Sequence, residues 1–245
     1  MEKKLRFVVT AGPTREHIDP VRFLSNPSTG KMGFAVARAA ARRGHDVTLV
    51  AGPVALRTPN GVHRVDVVSA REMLAAVEEA LDIGHSTADD QPRAASRKPR
   101  TTVFVATAAV ADWRPANCAA KKLKKGQMSD TLKLVRNPDI LKTVHSRFRS
   151  PGRPQGPDAL LLVGFAAETN DVLDEARRKC REKGLEMIVA NDVTEKGSGF
   201  GTDTNRVMLV KKDGSVVRLP LMSKLAVANR LVREIERLAE GEARP

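Results

Sequence analysis

Residues 9–53 read VTAGPTREHIDPVRFLSNPSTGKMGFAVARAAARRGHDVTLVAGP and form the most informative segment of the chain. The segment begins in an apolar strand, crosses a long polar loop, enters a helix around Thr29–Gly33 and returns through a second strand at Asp46–Val50. The first N–H groups of a helix have no intrahelical partner, and the helix dipole favours negative charge beside them. The segment therefore predicts a β-loop-α-β unit whose helix start can bind an anion. Its glycines match neither the dinucleotide pattern G-x-G-x-x-G nor the pattern G-x-x-x-x-G-K-[ST].

Apolar, strand-like runs alternate with helical segments along the rest of the chain. We predict strands at Phe7–Thr10, Asp46–Val50, Arg64–Val68, Thr102–Ala106, Leu160–Phe165, Glu186–Ala190 and Arg206–Val210, with a hairpin partner at Ser215–Leu219. We predict helices at Lys31–Arg43, Ala70–Ile83, Pro138–Arg147, Asp171–Lys183 and Met222–Glu240. Several strand runs are apolar throughout, as strands covered on both faces require. The pattern predicts a Rossmann-like, doubly wound α/β fold, in which a mostly parallel sheet has helices on both faces and a C-terminal hairpin.

The length and the net charge of the chain indicate how many domains it has and which class of ligand it binds. The 245 residues are predicted to form a single domain, 1–245, with surface insertions at 84–100 and 146–158 that are rich in Arg, Pro, Ser and Gly. The formal net charge of +13 indicates either a nucleic-acid binder or an enzyme with anionic ligands. Aromatic residues make up only 3% and tyrosine is absent, so stacking platforms for single strands are scarce. We therefore expect small anionic ligands and no nucleic acid.

The chain also carries signals about compartment and metals. Its N-terminus passes from a short charged lead into a strand, and no apolar run approaches the roughly 20 residues of a membrane span. We expect a cytoplasmic protein with no membrane partner. Two cysteines and five scattered histidines do not form a disulfide framework or a metal cluster. Any metal would be a hard ion held mainly by ligand phosphates.

Polar residues gather where the predicted strands end. They are Arg15, Asp19, Arg22, Ser25, Asn26 and Ser28 in the first loop, Asp112 after the fourth strand, the lysine run 121–125, and Asn191-Asp192. Asn137 and Pro138 fit the N-cap and the first position of a helix. Each feature alone has an ordinary alternative: Arg22 as a surface charge, Asn26 as a turn residue, the lysines as a solvated face. Their common position at carboxyl ends of strands favours a ligand site.

Taken together, these segments resemble phosphopantothenoylcysteine synthetase, the ligase of coenzyme A synthesis. The resemblance rests on TAGPTREHIDPVRFLSNPSTGKMG, ATAAVADWRP, KKLKK, LVRNPDIL, VGFAAET, ANDV and GFGTDTNRV, which follow one another in family order. It implies a ligase that joins phosphopantothenate and cysteine. The resemblance further implies that CTP activates the carboxylate as an acyl-cytidylate, that pyrophosphate and CMP are released, and that Mg²⁺ bridges phosphates. It also implies a homodimer, and either a stand-alone synthetase or the synthetase half of a fusion.

The resemblance also implies roles for individual residues. Asn26 corresponds to the asparagine that holds the activated acyl group, Arg22 to the arginine that grips phosphopantothenate, and Lys122 to the loop lysine of the second step. Ala108 lines the substrate pocket with its backbone. The nucleotide-binding positions are Ala106, Ala108, Asp112, Lys122, Pro138, Asp139, Ile140, Leu141, Phe165, Lys179 and Lys183. The sequence does not decide between CTP and ATP.

Two other classes of protein share part of the pattern. A nicotinamide-dependent Rossmann reductase has the same α/β alternation, but it predicts G-x-G-x-x-G and often a Tyr-x-x-x-Lys pair, and this chain has no tyrosine. A basic nucleic-acid-binding protein predicts positive charge on one face with interleaved aromatic residues. Here part of the basic excess falls in the two predicted insertions instead.

Overall fold

The computed structural model describes residues 4–82, 101–124, 131–148, 159–195, 197–199 and 201–241. Its strands are β1 Arg6–Ala11, β2 Arg15–His17, β3 Phe23–Ser25, β4 Asp46–Ala51, β5 Val62–Asp66, β6 Thr102–Ala106, β7 Trp113–Pro115, β8 Leu134–Arg136, β9 Leu160–Glu168, β10 Met187–Asp192, β11 Thr204–Asn205, β12 Met208–Lys211, β13 Val216–Arg218 and β14 Met222–Ser223. Its helices are α1 Lys31–Arg42, α2 Ala70–Ala80, α3 Ile140–Phe148, α4 Val172–Glu182 and α5 Lys224–Glu240.

The main sheet has eight strands in the order β13-β12-β10-β9-β6-β1-β4-β5. The strands from β10 to β5 are parallel, and β12 and β13 form an antiparallel hairpin on one edge. The predicted Rossmann-like fold and its C-terminal hairpin are therefore confirmed. In the register, Thr10 of β1 lies beside Val50 of β4 and Ala106 of β6. The carboxyl ends of the central strands thus meet along one edge of the sheet.

Two apolar layers sandwich this sheet. On one face, α1 packs against strands β1 and β4, and α5 packs against α1, with Phe34 and Leu231 among their buried side chains. On the other face, α2, α3 and α4 contribute residues such as Met73, Val144 and Cys180. Burial of each large apolar side chain stabilises the fold by about 2 kcal/mol before entropy is counted. Helices thus cover both faces, as the apolar strands require.

Three helix starts differ from the predicted boundaries: α3 and α5 begin two residues later than predicted, and α4 begins one residue later, at Val172. Helix α3 begins at Ile140, and its N-cap is Asp139, whose Oδ1 accepts from the N–H of Lys142 at 3.1 Å and whose carbonyl accepts from that of Thr143 at 2.9 Å. The predicted N-cap role of Asn137 is therefore wrong. Helix α5 begins at Lys224 instead of Met222, because Met222–Ser223 pairs with Thr204–Asn205.

The two predicted insertions fall mostly outside the described residues. Helix α3 continues to Phe148, so the first residues of the segment 146–158 are helical and not a loop as predicted. The remainder of that segment and the whole of 84–100 lie outside the described residues.

Two small hairpins interrupt segments that the sequence predicts as loops. Strands β2 and β3 pair across the first polar loop, and β7 pairs with β8. The buried carboxylate of Glu16 in β2 accepts from the N–H of Ala70 at 2.9 Å, which satisfies one open donor at the start of α2. The first hairpin is therefore fixed to the core by a polar contact between segments that are distant in sequence.

Candidate active site

A cavity of about 870 Å³ opens at the carboxyl ends of the parallel strands. Its walls are the start of α1, the loop after β6, the start of α3, the ends of β9 and β10, and the first residue of α5. Among the predicted nucleotide-binding residues, those lining it are Ala106, Ala108, Asp112, Pro138, Asp139, Ile140, Leu141, Phe165, Lys179 and Lys183. Arg22, Asn26 and Lys122 are absent from the described residues that line it.

The start of α1 forms one wall, as the sequence predicts. Its N-cap is Gly30, which has φ 77° and makes no side-chain capping hydrogen bond, and no acidic residue lies in the first turn. Gly33 lies against the sheet edge: a Cβ there would overlap Thr107 Oγ1 and would lie 2.5 Å from the Cβ of Ala11 and 2.9 Å from the carbonyl oxygen of Thr10. Only glycine allows the helix start to lie this close to the strands.

The loop 107–112 after β6 forms the floor, and contacts with the segment after β1 hold it in place. Thr107 Oγ1 donates to the carbonyl oxygen of Thr10 at 2.6 Å, and the N–H of Ala111 donates to Thr14 Oγ1 at 3.0 Å. The N–H of Ala109 donates to the carbonyl oxygen of Gly12 at 2.9 Å. The backbone of this loop, including Ala108, is therefore held in one conformation against the cavity.

Asn26 supports the same loop. Its Nδ2 donates to the carbonyl oxygens of Ala109 and Val110, both at 3.1 Å. Because both partners are acceptors, the amide nitrogen must face them and Oδ1 must point elsewhere. Asn26 is half-buried and lies beside the loop, and not among the residues lining the cavity.

Asn137 joins the loop 107–112 to the start of α3. Its Nδ2 donates to the carbonyl oxygen of Ala111 at 2.8 Å, its N–H donates to that of Asp112 at 2.8 Å, and its Oδ1 accepts from Arg114 at 3.0 Å. The side chain of Asn137, which the sequence predicts as a helix N-cap, is therefore engaged by Ala111 and Arg114 instead. Asp112 itself is exposed at the cavity rim.

The two predicted lysines near α4 reach the cavity with carboxylate partners. Lys179 forms an ion pair with Glu168, and Lys183, just beyond the end of α4, lies 2.8 Å from Asp139 Oδ2. Burial raises the pKa of Asp139, but the hydrogen bond and charge of Lys183 and the N–H of Lys142 outweigh it, so the pKa is lowered overall. Asp139 thus remains ionised and holds Lys183 in place.

Phe165 belongs both to the core and to the wall of the cavity. The ring is half-buried, packs against the core layer of α1 and α5, and also lines the cavity. A planar apolar surface at this place can contact a flat base.

Arg22 is held in a second cluster, outside the described cavity lining, that also involves Leu123, the neighbour of Lys122. The buried carboxylate of Asp19 accepts from Arg22 Nε at 3.0 Å, pairs with Arg22 Nη2, and accepts from the N–H of Leu123 at 3.2 Å. Arg22 Nη2 also donates to the carbonyl oxygen of Leu123 at 2.8 Å. The hydrogen bonds from Arg22 hold the pKa of Asp19 well below its ordinary value. Lys122 is exposed next to this cluster, and Lys125 lies outside the described residues.

Sequence reasoning assigns no role to several residues that line the cavity. They include Lys31, Arg136, Arg178, Asn205 and Lys224. One of them, Lys224, could have been found from the sequence, because a lysine in the first turn of a helix opposes the helix dipole and therefore needs an explanation. In total, six basic and two acidic residues line the described cavity, so its electrostatic potential favours an anion.

Two other features, a metal-binding cluster and a membrane-spanning helix, are absent from the described residues. In the part of the chain with coordinates, no group of three or more His, Cys, Asp or Glu is arranged to hold a metal ion. None of the helices described combines the length and the apolar character needed to cross a membrane.

Comparison with known proteins identifies relatives of this chain. The family described as DNA/pantothenate metabolism flavoprotein C-terminal domain matches residues 2–88 and 83–238. The coenzyme A biosynthesis bifunctional protein CoaBC of Escherichia coli K12 is 45% identical over 236 residues, covering 95% of this chain and 52% of that protein. CoaBC of Bacillus subtilis is 44% identical over 95% of this chain and 51% of its own length. The chain thus spans about half the length of the curated relatives it matches.

Solved structures give the same result. A crystal structure of the C-terminal domain of CoaBC superimposes with a TM-score of 0.74 at 39% identity, covering 98% of each chain. A complex of a Cab2 mutant with phosphopantothenate-cysteine superimposes with a TM-score of 0.68 at 14% identity, which supports the fold alone. The chain therefore belongs to the DNA/pantothenate metabolism flavoprotein C-terminal domain family, together with the C-terminal domain of CoaBC.

Proposed function

We propose that this chain is a phosphopantothenate–cysteine ligase that uses CTP and acts in coenzyme A biosynthesis. One observation carries the proposal: ten of the eleven predicted nucleotide-binding residues, which come from four separate segments of the chain, line one basic cavity, and Lys122 alone among them lies outside its described lining. The family supports it, since relatives more than 40% identical over this domain are coenzyme A biosynthesis proteins.

The reaction follows from the chemistry of a carboxylate. An amine cannot displace a carboxylate oxygen until that oxygen becomes part of a leaving group. In the proposed first step, a carboxylate oxygen of phosphopantothenate attacks the α-phosphorus of CTP, the bond to the bridging oxygen breaks, and pyrophosphate leaves with the electron pair. The amine of cysteine then attacks the acyl carbon of the acyl-cytidylate, the bond from that carbon to the cytidylate oxygen breaks, CMP leaves with the electron pair, and the nitrogen loses a proton to solvent. The protein must hold anions against one another and neutralise developing charge.

The residues of this chain divide that work. The start of α1 and the cavity lysines offer positive charge to phosphates, while the loop 107–112 supplies a fixed backbone surface. Asn26 keeps that loop in position, and its Oδ1 remains as an acceptor for substrate. Arg22, held by Asp19, is the proposed contact for phosphopantothenate, and Lys122 is the proposed charge for the second step.

The donor set near the cavity fits a hard divalent cation held mainly by the nucleotide. Asp112 offers an exposed carboxylate at the rim, whereas the carboxylate of Asp139 is engaged by Lys183. Magnesium, when bound to the phosphates, would supply charge neutralisation, with Asp112 as the protein group available to it.

A homodimer and a cytoplasmic location also stay predictions. The two small hairpins carry exposed apolar side chains at Val21, Phe23, Trp113 and Leu134, and strands β2 and β7 lie in contact. This apolar surface is available to a second copy of the chain. Light scattering after size-exclusion chromatography tests the prediction: the wild type should be dimeric and Phe23→Glu should shift towards monomer.

The decisive experiment is product formation from phosphopantothenate, cysteine and Mg²⁺, with CTP and ATP supplied in parallel reactions. Release of CMP that requires both other substrates supports the ligase and its nucleotide together. Release of AMP instead would replace CTP by ATP. A folded protein that turns over neither nucleotide would refute the proposed activity.

A further inference from the structure

Lys224 is a buried cation in the wall of the cavity. The residue is only 7% exposed, and its Nζ donates to the carbonyl oxygen of Gly199 at 3.0 Å. Among the described residues, no carboxylate lies within ion-pair distance of this ammonium group. Because a buried ammonium loses its hydration, a single carbonyl partner compensates it poorly.

The surroundings of Lys224 add positive potential. Lys224 is the first residue of α5, where the helix dipole already favours an anion. Burial lowers the pKa of Lys224, the charge of Lys31 lowers it further, and Asp203 opposes this only in part. The positive charges of Lys224 and Lys31 and the start of α5 therefore outweigh the negative charge of Asp203, and the electrostatic potential around Lys224 is positive.

Lys31 approaches the same place from the start of another helix. It is the first residue of α1, and its Nζ donates to the carbonyl oxygen of Gly201 at 2.9 Å and to Asp203 Oδ1 at 2.7 Å. The backbone N–H of Lys224 donates to the carbonyl oxygen of Asp203 at 2.9 Å. Two lysines at two helix starts thus meet the same short loop, which contains Gly199, Gly201 and Asp203.

The other lysines in the cavity are neutralised locally. Lys179 pairs with Glu168, and Lys183 pairs with Asp139. Lys31 has Asp203, which is exposed, whereas Lys224 has a carbonyl oxygen alone. Among the lysines that line the described cavity, the deficit of negative charge therefore lies at the starts of α1 and α5.

We propose that Lys224, together with Lys31, binds the β- and γ-phosphates of the nucleotide, the part that leaves as pyrophosphate. This inference rests on the proposed function. A chain of phosphates brings several negative charges to a place where Lys31 has one exposed carboxylate partner, Lys224 has none among the described residues, and neither helix has an acidic residue in its first turn. When the bond to the α-phosphorus breaks, negative charge grows on the departing oxygen, and compact ammonium charges stabilise it.

The test measures binding of inorganic pyrophosphate to the whole chain by calorimetry, because this probe needs no turnover. Lys224→Met removes the charge and Lys224→Gln keeps a donor for Gly199, so both should weaken pyrophosphate binding by about 10- to 100-fold. Lys224→Arg should retain most of the affinity. Lys212→Met, at an exposed site 3.8 Å from Glu186 and outside the cavity lining, is the matched control and should bind as the wild type does.

Several outcomes overturn the inference. Unchanged pyrophosphate affinity in folded Lys224→Gln would do so, and so would a wild type that binds no pyrophosphate. If both Lys224 variants fail to fold, Lys31→Met decides, and unchanged affinity there counts against the proposal. If the wild type turns over its substrates but the Lys224 variants bind pyrophosphate as tightly as the wild type, the proposed ligase activity is supported and the pyrophosphate subsite is refuted. If the wild type shows no ligase turnover but its pyrophosphate binding depends on Lys224, the pyrophosphate subsite is supported and the proposed ligase activity is refuted.

Discussion

The carboxylate of Asp19 holds the guanidinium of Arg22 through the ion pair to Nη2 and a hydrogen bond of 3.0 Å from Nε. The same carboxylate accepts from the backbone N–H groups of Val21 and Arg22, both at 2.9 Å, and of Leu123 at 3.2 Å. One buried side chain therefore connects the β2–β3 hairpin to the segment that carries Lys122. The two residues proposed for phosphopantothenate binding and for the second step depend on a common support.

Asp19→Asn should weaken both functions, because a neutral amide cannot pair with Arg22 and offers one acceptor oxygen instead of two. We expect KM for phosphopantothenate to rise and kcat to fall by about 10- to 100-fold, as misplaced groups do. Steady-state kinetics with Asp174→Asn as the control, on an exposed part of α4, check this. Unchanged kinetics would remove Asp19 from the positioning role.

Asp19 should also contribute to the pH dependence of stability. Its folded pKa is lowered, so its contribution is complete above its unfolded pKa of about 4 and is lost as the pH falls towards the folded value. The difference in unfolding free energy between wild type and Asp19→Asn should therefore be constant near neutral pH and shrink below about pH 4. Urea denaturation at a series of pH values measures it. A difference that grows on acidification contradicts the assignment.

Asn26→Asp should disturb the loop 107–112 as well as substrate binding. A carboxylate at this position would face the carbonyl oxygens of Ala109 and Val110, which now accept at 3.1 Å, and would lose both donors. We expect a loss of about 1–3 kcal/mol in stability and little accumulation of acyl-cytidylate in the absence of cysteine. Asn117→Asp, at an exposed position, is the control. Normal build-up of the intermediate in Asn26→Asp would exclude the proposed role.

Lys122→Gln should separate the two chemical steps. The side chain is exposed and lies outside the described cavity lining, so pyrophosphate release should continue while amide formation falls. Pyrophosphate and amide product are measured in the same reaction, with Lys121→Gln as a neighbouring exposed control. If both products decline in parallel, Lys122 does not act specifically after activation.

Gly33→Ala should displace the start of α1. The new methyl group would overlap Thr107 Oγ1 and crowd Ala11, and overpacking of this kind costs about 1–3 kcal/mol. We expect weaker nucleotide binding together with lower thermal stability, measured by calorimetry and by circular dichroism. Arg38→Ala, on the exposed face of the same helix, controls for helix propensity. Nucleotide affinity equal to that of the wild type would mean that the position of this helix start does not matter for binding.

The candidate site could be predicted in part, because some of its residues are placed by local rules. Ala106, Phe165 and Asp139 line the cavity as expected: Ala106 ends β6, Phe165 lies in the second half of β9, and Asp139 directly precedes α3. The choice between Asn137 and Asp139 as the α3 N-cap could not be read from the sequence, where both residues have suitable side chains. It depends on the carbonyl oxygen of Ala111, which binds Asn137 and is supplied by another part of the chain.

The sequence by itself determined the β1–α1–β4 unit, the parallel sheet and the edge where ligands can bind. Apolar periodicity and helix-start chemistry act between near neighbours, so they can be read along the chain. Only the tertiary structure decided that Asn26 supports a loop, that Asp19 connects Arg22 to Leu123, and that Lys224 and Lys31 line the same cavity. These relationships depend on burial and on hydrogen bonds between distant segments, and both exist only once the helices have packed on the sheet.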